Sequence, residues 1–98
     1  MDDLNMSVGV AFDVPGLAGG IKQRIVECRR EAGLTQEDLA KKLTEWYKKN
    51  DSGDAVNVST VRNWESSNGK RLPTAVDLVG LSAIFNVYTD WLLTGTGA

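Results

Sequence analysis

Apolar residues recur at helical spacing from Ile21 onward, and no stretch of the chain alternates apolar and polar residues as a half-buried strand would. Ile21, Ile25, Cys28 and Ala32 follow the spacing i, i+4, i+7, i+11, with charged residues between them. A chain of 98 residues, of which 42% are hydrophobic, can bury one core of modest depth. The sequence therefore predicts a single all-α domain.

Turn signals separate the first two predicted helices. Gly33 tolerates the left-handed conformation that ends many helices, so the first helix is expected to stop there. Thr35 and Asp38 have the spacing of a capping box, in which each side chain bonds the backbone N–H of the other residue. The second helix is therefore predicted to begin after Thr35 and to reach about Lys49.

Cap residues also mark three later helices. Asn57 precedes a predicted third helix over residues 58–65, and Gly95 closes the fifth. The fourth helix is predicted to begin at Pro73 or Thr74, and the fifth at Thr89 or Asp90. The residues expected to be buried on the fourth helix are Val76, Val79, Leu81, Ile84 and Phe85.

Both ends of the chain are predicted to lie outside this domain. Residues 1–20 show no period and end in PGLAGG, which indicates a flexible arm. The predicted domain covers residues 21–95, and residues 96–98 form a short tail.

Composition excludes several classes of protein. No histidine is present, which removes the commonest general base and the commonest transition-metal ligand. The single cysteine, Cys28, cannot form an internal disulfide and suits the reducing cytoplasm. No apolar run approaches the ~18 residues that indicate a membrane-spanning helix. With no Gly-rich phosphate loop and no paired carboxylates, we expect no enzyme, and no site for a metal, cofactor or small-molecule ligand.

The basic residues are confined to the middle of the chain. The formal net charge is −2, yet all 11 Lys and Arg residues lie between Lys22 and Arg71. That window also contains eight acidic residues, so its net charge is +3. Such an uneven distribution is a weak indication of an anion-binding face, and a solvated surface of mixed charge is the alternative.

The third predicted helix, VSTVRNWE, combines an apolar side with a polar one. At about 100° per residue, Val61 and Trp64 share the side that is expected to face the core. The residues expected to face outward are Val58, Ser59, Arg62 and Asn63. In a DNA major groove, Arg can bond guanine, Asn can bond adenine, Ser can bond either base, and a methyl group can pack on thymine. An ordinary amphipathic helix with a solvated polar face is the alternative interpretation.

The segments GLTQEDLAKKL, VSTVRNWE, NGKRLP and VYTDWLLTG together resemble the helix-turn-helix repressors of the lambda/Cro type. The closing WLLTG is particularly similar to the DNA-binding domains of phage repressors. The resemblance covers about Ile21 to Gly95. It implies a five-helix lambda-repressor-like fold and a cytoplasmic transcriptional repressor, of phage or prophage type, that binds double-stranded DNA with its third helix.

The resemblance also implies roles for individual residues. Gln36 would bond a backbone phosphate and support the third helix, and Arg29 and Glu65 would form an internal ion pair. Thr60 would lie near a DNA phosphate. Lys70, which follows the third helix, would lie along the DNA backbone. The full DNA-contacting set implied in this way is Gln36, Asn57, Val58, Ser59, Thr60, Arg62, Asn63, Asn68, Lys70 and Arg71.

The chain departs from this family between the second and third helices. About ten extra residues, TEWYKKNDSGDA, lie between Leu43 and Val56 and enlarge the connection. We expect Trp46 to join the core. The lysines of this longer helix, which are Lys41, Lys42, Lys48 and Lys49, either extend a phosphate-facing surface or are simply solvated.

The resemblance implies a homodimer on a palindromic operator. Trp91, Leu92 and Leu93 could supply a small dimer surface, although burial within the monomer is expected for at least two of them. Longer family members continue beyond the equivalent of TGTGA into an oligomerisation domain, so this chain is expected to be an isolated DNA-binding domain. The alternative function is a protein-binding regulatory module, such as an antitoxin or adaptor, which would expose an apolar patch on the third helix.

Overall fold

The computed structural model describes residues 14–50, 55–66 and 68–96, with side chains from residue 20 onward. Five helices, and no strand, occur in these ranges. They are α1 (Val14–Glu31), α2 (Gln36–Lys49), α3 (Val58–Glu65), α4 (Ala75–Phe85) and α5 (Thr89–Thr94). The all-α prediction is confirmed, and α2 and α3 have the predicted bounds.

The first helix begins earlier than its apolar period indicated. Residues 14–20, for which the sequence predicts a flexible arm, form the first two turns of α1. Glycine costs about 1 kcal/mol relative to alanine within a helix, which is why the glycines of PGLAGG argued against helix. However, Pro15 lies in the first turn, where a backbone N–H would have no intrahelical acceptor. Extending a helix that is already formed also costs little free energy, because the unfavourable step is nucleation. The rest of the arm, residues 1–13, lies outside the described residues, as do residues 97 and 98 of the tail.

The turn between α1 and α2 forms as its sequence predicts. Gly33 has a φ of 71°, and the N–H of Leu34 donates to the carbonyl of Arg29 over 3.1 Å. Thr35 Oγ1 accepts from the N–H of Asp38, and Asp38 Oδ2 accepts from the N–H of Thr35, each over 3.0 Å. This capping box fixes the direction in which α2 leaves the turn.

One core lies between the five helices. α1 packs against α3 and α5, and α2 packs against α3 and α4. Its fully buried apolar side chains, at or below 2% exposure, are Ile25, Leu39, Leu43, Tyr47, Val61, Trp64, Leu81 and Leu92. Cys28 is also buried, as its place in the apolar period of α1 predicts. Because Leu92 is fully buried, it cannot take part in a dimer surface.

The buried side of α4 agrees with the predicted one only in part: Leu81 is fully buried, and Ile84 and Phe85 are partly buried against the core. Val76 and Val79 are 49% and 48% exposed, whereas Leu78, which was not predicted, is buried. Gly80 explains this orientation, because a Cβ there would lie 2.9 Å from the side chains of Leu43 and Trp46. The helix AVDLVGLSAIF is apolar on every side, so its residue pattern could not identify the side that faces the core.

The enlarged connection lengthens α2 and then returns to it. Tyr47 is buried and adds to the core, whereas Trp46, which was expected there, is only half-buried. The hydroxyl of Thr44 accepts from the N–H of Val56 over 3.0 Å and lies 3.1 Å from the carbonyl of the same residue. This contact ties the start of α3 to the middle of α2. Residues 51–54 lie outside the described residues.

The cationic side chain of Arg24, on α1, reaches to the end of α5. Arg24 donates from Nε to the carbonyl of Leu92 and from Nη2 to the carbonyl of Leu93, each over 2.9 Å. The same guanidinium lies 6.0 Å from the ring centre of Trp91. These contacts satisfy carbonyls that the short helix α5 leaves without an intrahelical partner.

A second capping box, formed by Thr74 and Asp77, starts α4, and the two boxes differ in their surroundings. Hydrogen bonds from the backbone and side chain of Thr35 lower the pKa of Asp38, whereas burial raises the pKa of Asp77. The stability that Asp38 contributes is present above the ordinary carboxyl pKa and is lost as pH falls through the lowered value. That of Asp77 is present below the ordinary pKa and is lost as pH rises through the raised value.

We therefore expect opposite effects from matched substitutions in the two boxes. Asp38→Asn should lower the free energy of unfolding near neutral pH and flatten its decline in acid. Asp77→Asn keeps an oxygen that can accept from Thr74 and removes a desolvated charge, so stability near neutral pH should be unchanged or raised. Urea denaturation across the acid-to-neutral range measures both. Equal losses of stability in the two variants would contradict this interpretation.

Candidate nucleic-acid interface

One side of the helix α3 is buried in the core, and the opposite side is exposed to solvent. Val61 and Trp64 are 0% and 1% exposed, whereas Arg62 and Ser59 lie at the surface. Val58 is half-buried at the edge of the same surface. The predicted orientation of this helix is confirmed: its apolar side faces the core and Arg62 faces solvent.

The start of α3 is held by its own cap. Asn57 Oδ1 accepts from the N–H of Thr60 over 3.0 Å and from the hydroxyl of Ser59 over 2.6 Å. The hydroxyl of Thr60 lies 3.2 Å from the same oxygen. Asn57 therefore acts first as the N-cap, and the Ser59 oxygen is left to present its lone pairs outward.

The end of α3 is tied to α1 and α2 through Glu65. Arg29 donates to both oxygens of this carboxylate, from Nε over 2.6 Å and from Nη2 over 3.0 Å. Gln36 Nε2 donates to Oε1 over 3.0 Å, and Arg29 also donates to the carbonyl of Leu34. The Arg29–Glu65 ion pair is confirmed, and Gln36 supports α3 as expected. The bidentate pair sets the position of α3 along α1.

Asn63, which was predicted to face outward, is less exposed than Arg62 and Ser59. Its Oδ1 accepts from the N–H of Arg71 over 2.8 Å, and the residue is half-buried. This bond turns the oxygen of Asn63 toward the segment that follows α3. The spacing that placed Asn63 beside Arg62 on the helix could not reveal this partner, because it comes from a loop.

Lys22 is an important residue that the sequence pattern did not identify. Its ammonium is buried, with the residue 9% exposed, and it donates to the carbonyls of Asn63, Trp64 and Arg71 over 3.0, 3.3 and 3.0 Å. Burial lowers the pKa of this lysine. One signal was available: Lys22 lies seven residues before Arg29, on the same side of α1, and that side faces α3.

Several predicted DNA-contacting residues come together beside α3. Asn57, Ser59, Thr60, Asn63 and Arg71 line one shallow polar depression. The side chains of Asn68, Lys70 and Arg71 are exposed along the segment after the helix. Arg71 thus joins the loop to the polar side of α3.

The four lysines of α2 divide between two sides of that helix. Lys41 and Lys48 line a groove that also includes Val58. The lysine that follows each of them lines a different groove, beside Trp46. Two glutamates share the first groove, which reduces its positive charge. Only Lys41 and Lys48 therefore stand next to the start of α3.

Among the described residues, no group of three or more His, Cys, Asp or Glu is placed to hold a metal ion. None of the helices of residues 14–50, 55–66 and 68–96 is both long and apolar enough to cross a membrane. Neither family models nor curated proteins match this sequence, and no solved structure matches this chain.

Proposed function

We propose that this protein is a transcriptional repressor that binds double-stranded DNA in a sequence-specific manner, with α3 in the major groove. One observation carries the proposal. A short helix exposes Arg62 and Ser59 on one side, while its other side is fully buried and both its ends are held by side chains. A helix of this kind can enter a groove about 12 Å wide without losing its shape.

The exposed groups divide into two kinds of contact. Arg62 can bond guanine bidentately, the Ser59 oxygen can accept a hydrogen bond, and the half-buried Val58 can pack on a thymine methyl group. Lys70, Arg71 and Asn68 follow the helix and suit phosphate oxygens, which fix register without reading sequence. Gln36 supports α3 through its bond to Glu65.

Arg62→Ala is expected to remove preference at one base pair. Loss of a bidentate contact to guanine should cost about 1–3 kcal/mol at that base pair and little elsewhere. The preferred site is first selected from random duplex DNA. Fluorescence anisotropy with that site and its single-pair variants then measures the preference of each protein.

Lys70→Ala is the matched control, since it also removes an exposed cation. It should weaken binding to every duplex alike and reduce the dependence of affinity on salt concentration. An Arg62→Ala protein that binds the selected site as tightly and as selectively as the parent would show that α3 does not read bases.

The proposed partner is a palindromic operator bound by two copies of the chain in the bacterial cytoplasm. A single module with few exposed cations binds weakly, and two copies on half-sites about one DNA turn apart combine their contacts. Symmetry in the selected sites, together with sedimentation of the protein with and without DNA, would test this. Asymmetric sites bound by one copy would contradict it.

A protein-binding module is the second candidate function, and the exposed side of α4 favours it. Leu72, Val76 and Val79 are each more than 40% exposed, and the one charged side chain between Arg71 and Asp90, that of Asp77, is buried. Contiguous exposed apolar residues often mark contacts with other proteins. An electrophoretic shift assay at two salt concentrations separates the candidates, because DNA binding strengthens at low salt and the protein-binding function predicts no shift.

A further inference from the structure

The end of α3 and the segment after it are joined by one buried ammonium group. Lys22 donates to the carbonyls of Asn63 and Trp64, which belong to α3, and to that of Arg71, which does not. The last carbonyls of a helix have no intrahelical partner and carry partial negative charge, so a cation is favourable there. Three carbonyls match the three N–H donors of one lysine. This ammonium therefore fixes the distance between α3 and residue 71.

A second set of contacts holds the same two pieces together. Asn63 Oδ1 accepts from the N–H of Arg71 over 2.8 Å, so both the N–H and the carbonyl of residue 71 are bonded. Gly69 lies across the end of α3, where an added Cβ would collide with the carbonyl oxygen of Asn63. Only glycine allows the backbone to pass this close to the helix.

We propose that Lys22, Asn63 and Gly69 form a latch that fixes the segment carrying Lys70 and Arg71 to the end of α3. The latch rests on the proposed function: it holds the phosphate-binding cations and Arg62 in one geometry. Lys70, Arg71 and Arg62 are then ordered when the protein folds and not when it binds DNA. Because binding no longer has to order them, affinity rises for every DNA sequence. The three are positioning residues and do not touch bases.

A specific consequence concerns Asn63, which its helical position assigned to adenine. Bidentate recognition of adenine needs the amide oxygen and the amide nitrogen together at the base edge. In this structure the oxygen is directed at the N–H of Arg71. Asn63 thus serves the latch, and base preference comes from Arg62 and its other neighbours.

The latch itself is tested without DNA. Lys22→Met keeps an unbranched side chain and removes the three donors, and Asn63→Ala and Gly69→Ala disturb the same joint from the other side. Amide hydrogen exchange, followed residue by residue by NMR, should speed up at Arg71 by about tenfold relative to the amides of α2, as expected for local opening. Ile25→Val, a buried change on the same helix, is the control and should leave that ratio unaltered.

The role of the latch in binding is tested with the selected site and its single-pair variants. Lys22→Met and Asn63→Ala should both weaken binding to all sequences by a similar factor and reduce the salt dependence, as loss of phosphate contacts does. Base preference should remain that of the parent, in contrast to Arg62→Ala.

Two results would overturn the latch. One is an unchanged exchange ratio at Arg71 in all three variants. The other is an Asn63→Ala protein that loses preference at a single base pair, because this would make Asn63 a base-reading residue. Failure of the parent to bind any duplex overturns the proposed function instead, and the exchange result still decides whether the joint exists.

Discussion

Glu65→Ala is expected to lower the free energy of unfolding by about 3–5 kcal/mol, because it leaves a buried guanidinium without its partner. The side chains of Arg29 and Glu65 are only 13% and 5% exposed, so solvent cannot replace the lost carboxylate fully. Gln36 loses its acceptor in the same change. The remaining bond from Arg29 to the carbonyl of Leu34 does not neutralise the charge.

Urea denaturation followed by circular dichroism measures this loss. Glu27→Ala is the matched control, since Glu27 lies on the exposed side of α1 and bonds only Gln23 there among the described residues. A surface change of that kind should alter stability by no more than about 0.5 kcal/mol. If the two alanine variants lose the same stability, the ion pair does not hold α3 to α1.

Trp64→Ala is expected to cost a similar amount, about 3–5 kcal/mol, through loss of apolar burial and the cavity left behind. Trp64 is 1% exposed and belongs to the buried core, so its removal leaves a cavity there. DNA binding should fall as well, because Arg62 projects from the same two turns of helix.

Trp91→Ala provides the comparison for this substitution. Trp91 is half-buried and packs against the guanidinium of Arg24, so its removal exposes less of the core and should cost clearly less. Thermal and urea unfolding of both variants measure the difference. A Trp64→Ala protein as stable as Trp91→Ala would place the anchor of α3 elsewhere.

The sequence predicted those parts of the fold that depend on local signals. Helical spacing separated Val61 and Trp64 from Arg62, and cap residues located the start of α2 and of α3, because these features depend on neighbours three or four positions away. On α4 the burial of Leu81 was predicted correctly and that of Val76 and Val79 wrongly, since the helix is apolar all round and the position of Gly80 against α2 is a tertiary feature.

The candidate site was predictable to a similar extent. The residues exposed on α3 followed from periodicity, and the ion pair followed from family resemblance. The role of Lys22 and the inward bond of Asn63 could not be predicted in this way, because each depends on a partner brought close by tertiary packing. A lysine in a charged, half-apolar helix reads as a solvated side chain unless the carbonyls it meets are known.

The cations of α1 have a consequence for how the domain folds. Lys22, Arg24 and Arg29 bond groups that lie between 36 and 69 residues further along the chain. These contacts raise the contact order of an otherwise helical domain, in which most contacts are local and quickly made. α3 and α5 therefore both depend on a helix that precedes them in the chain, and we expect loss of α1 to loosen the two together.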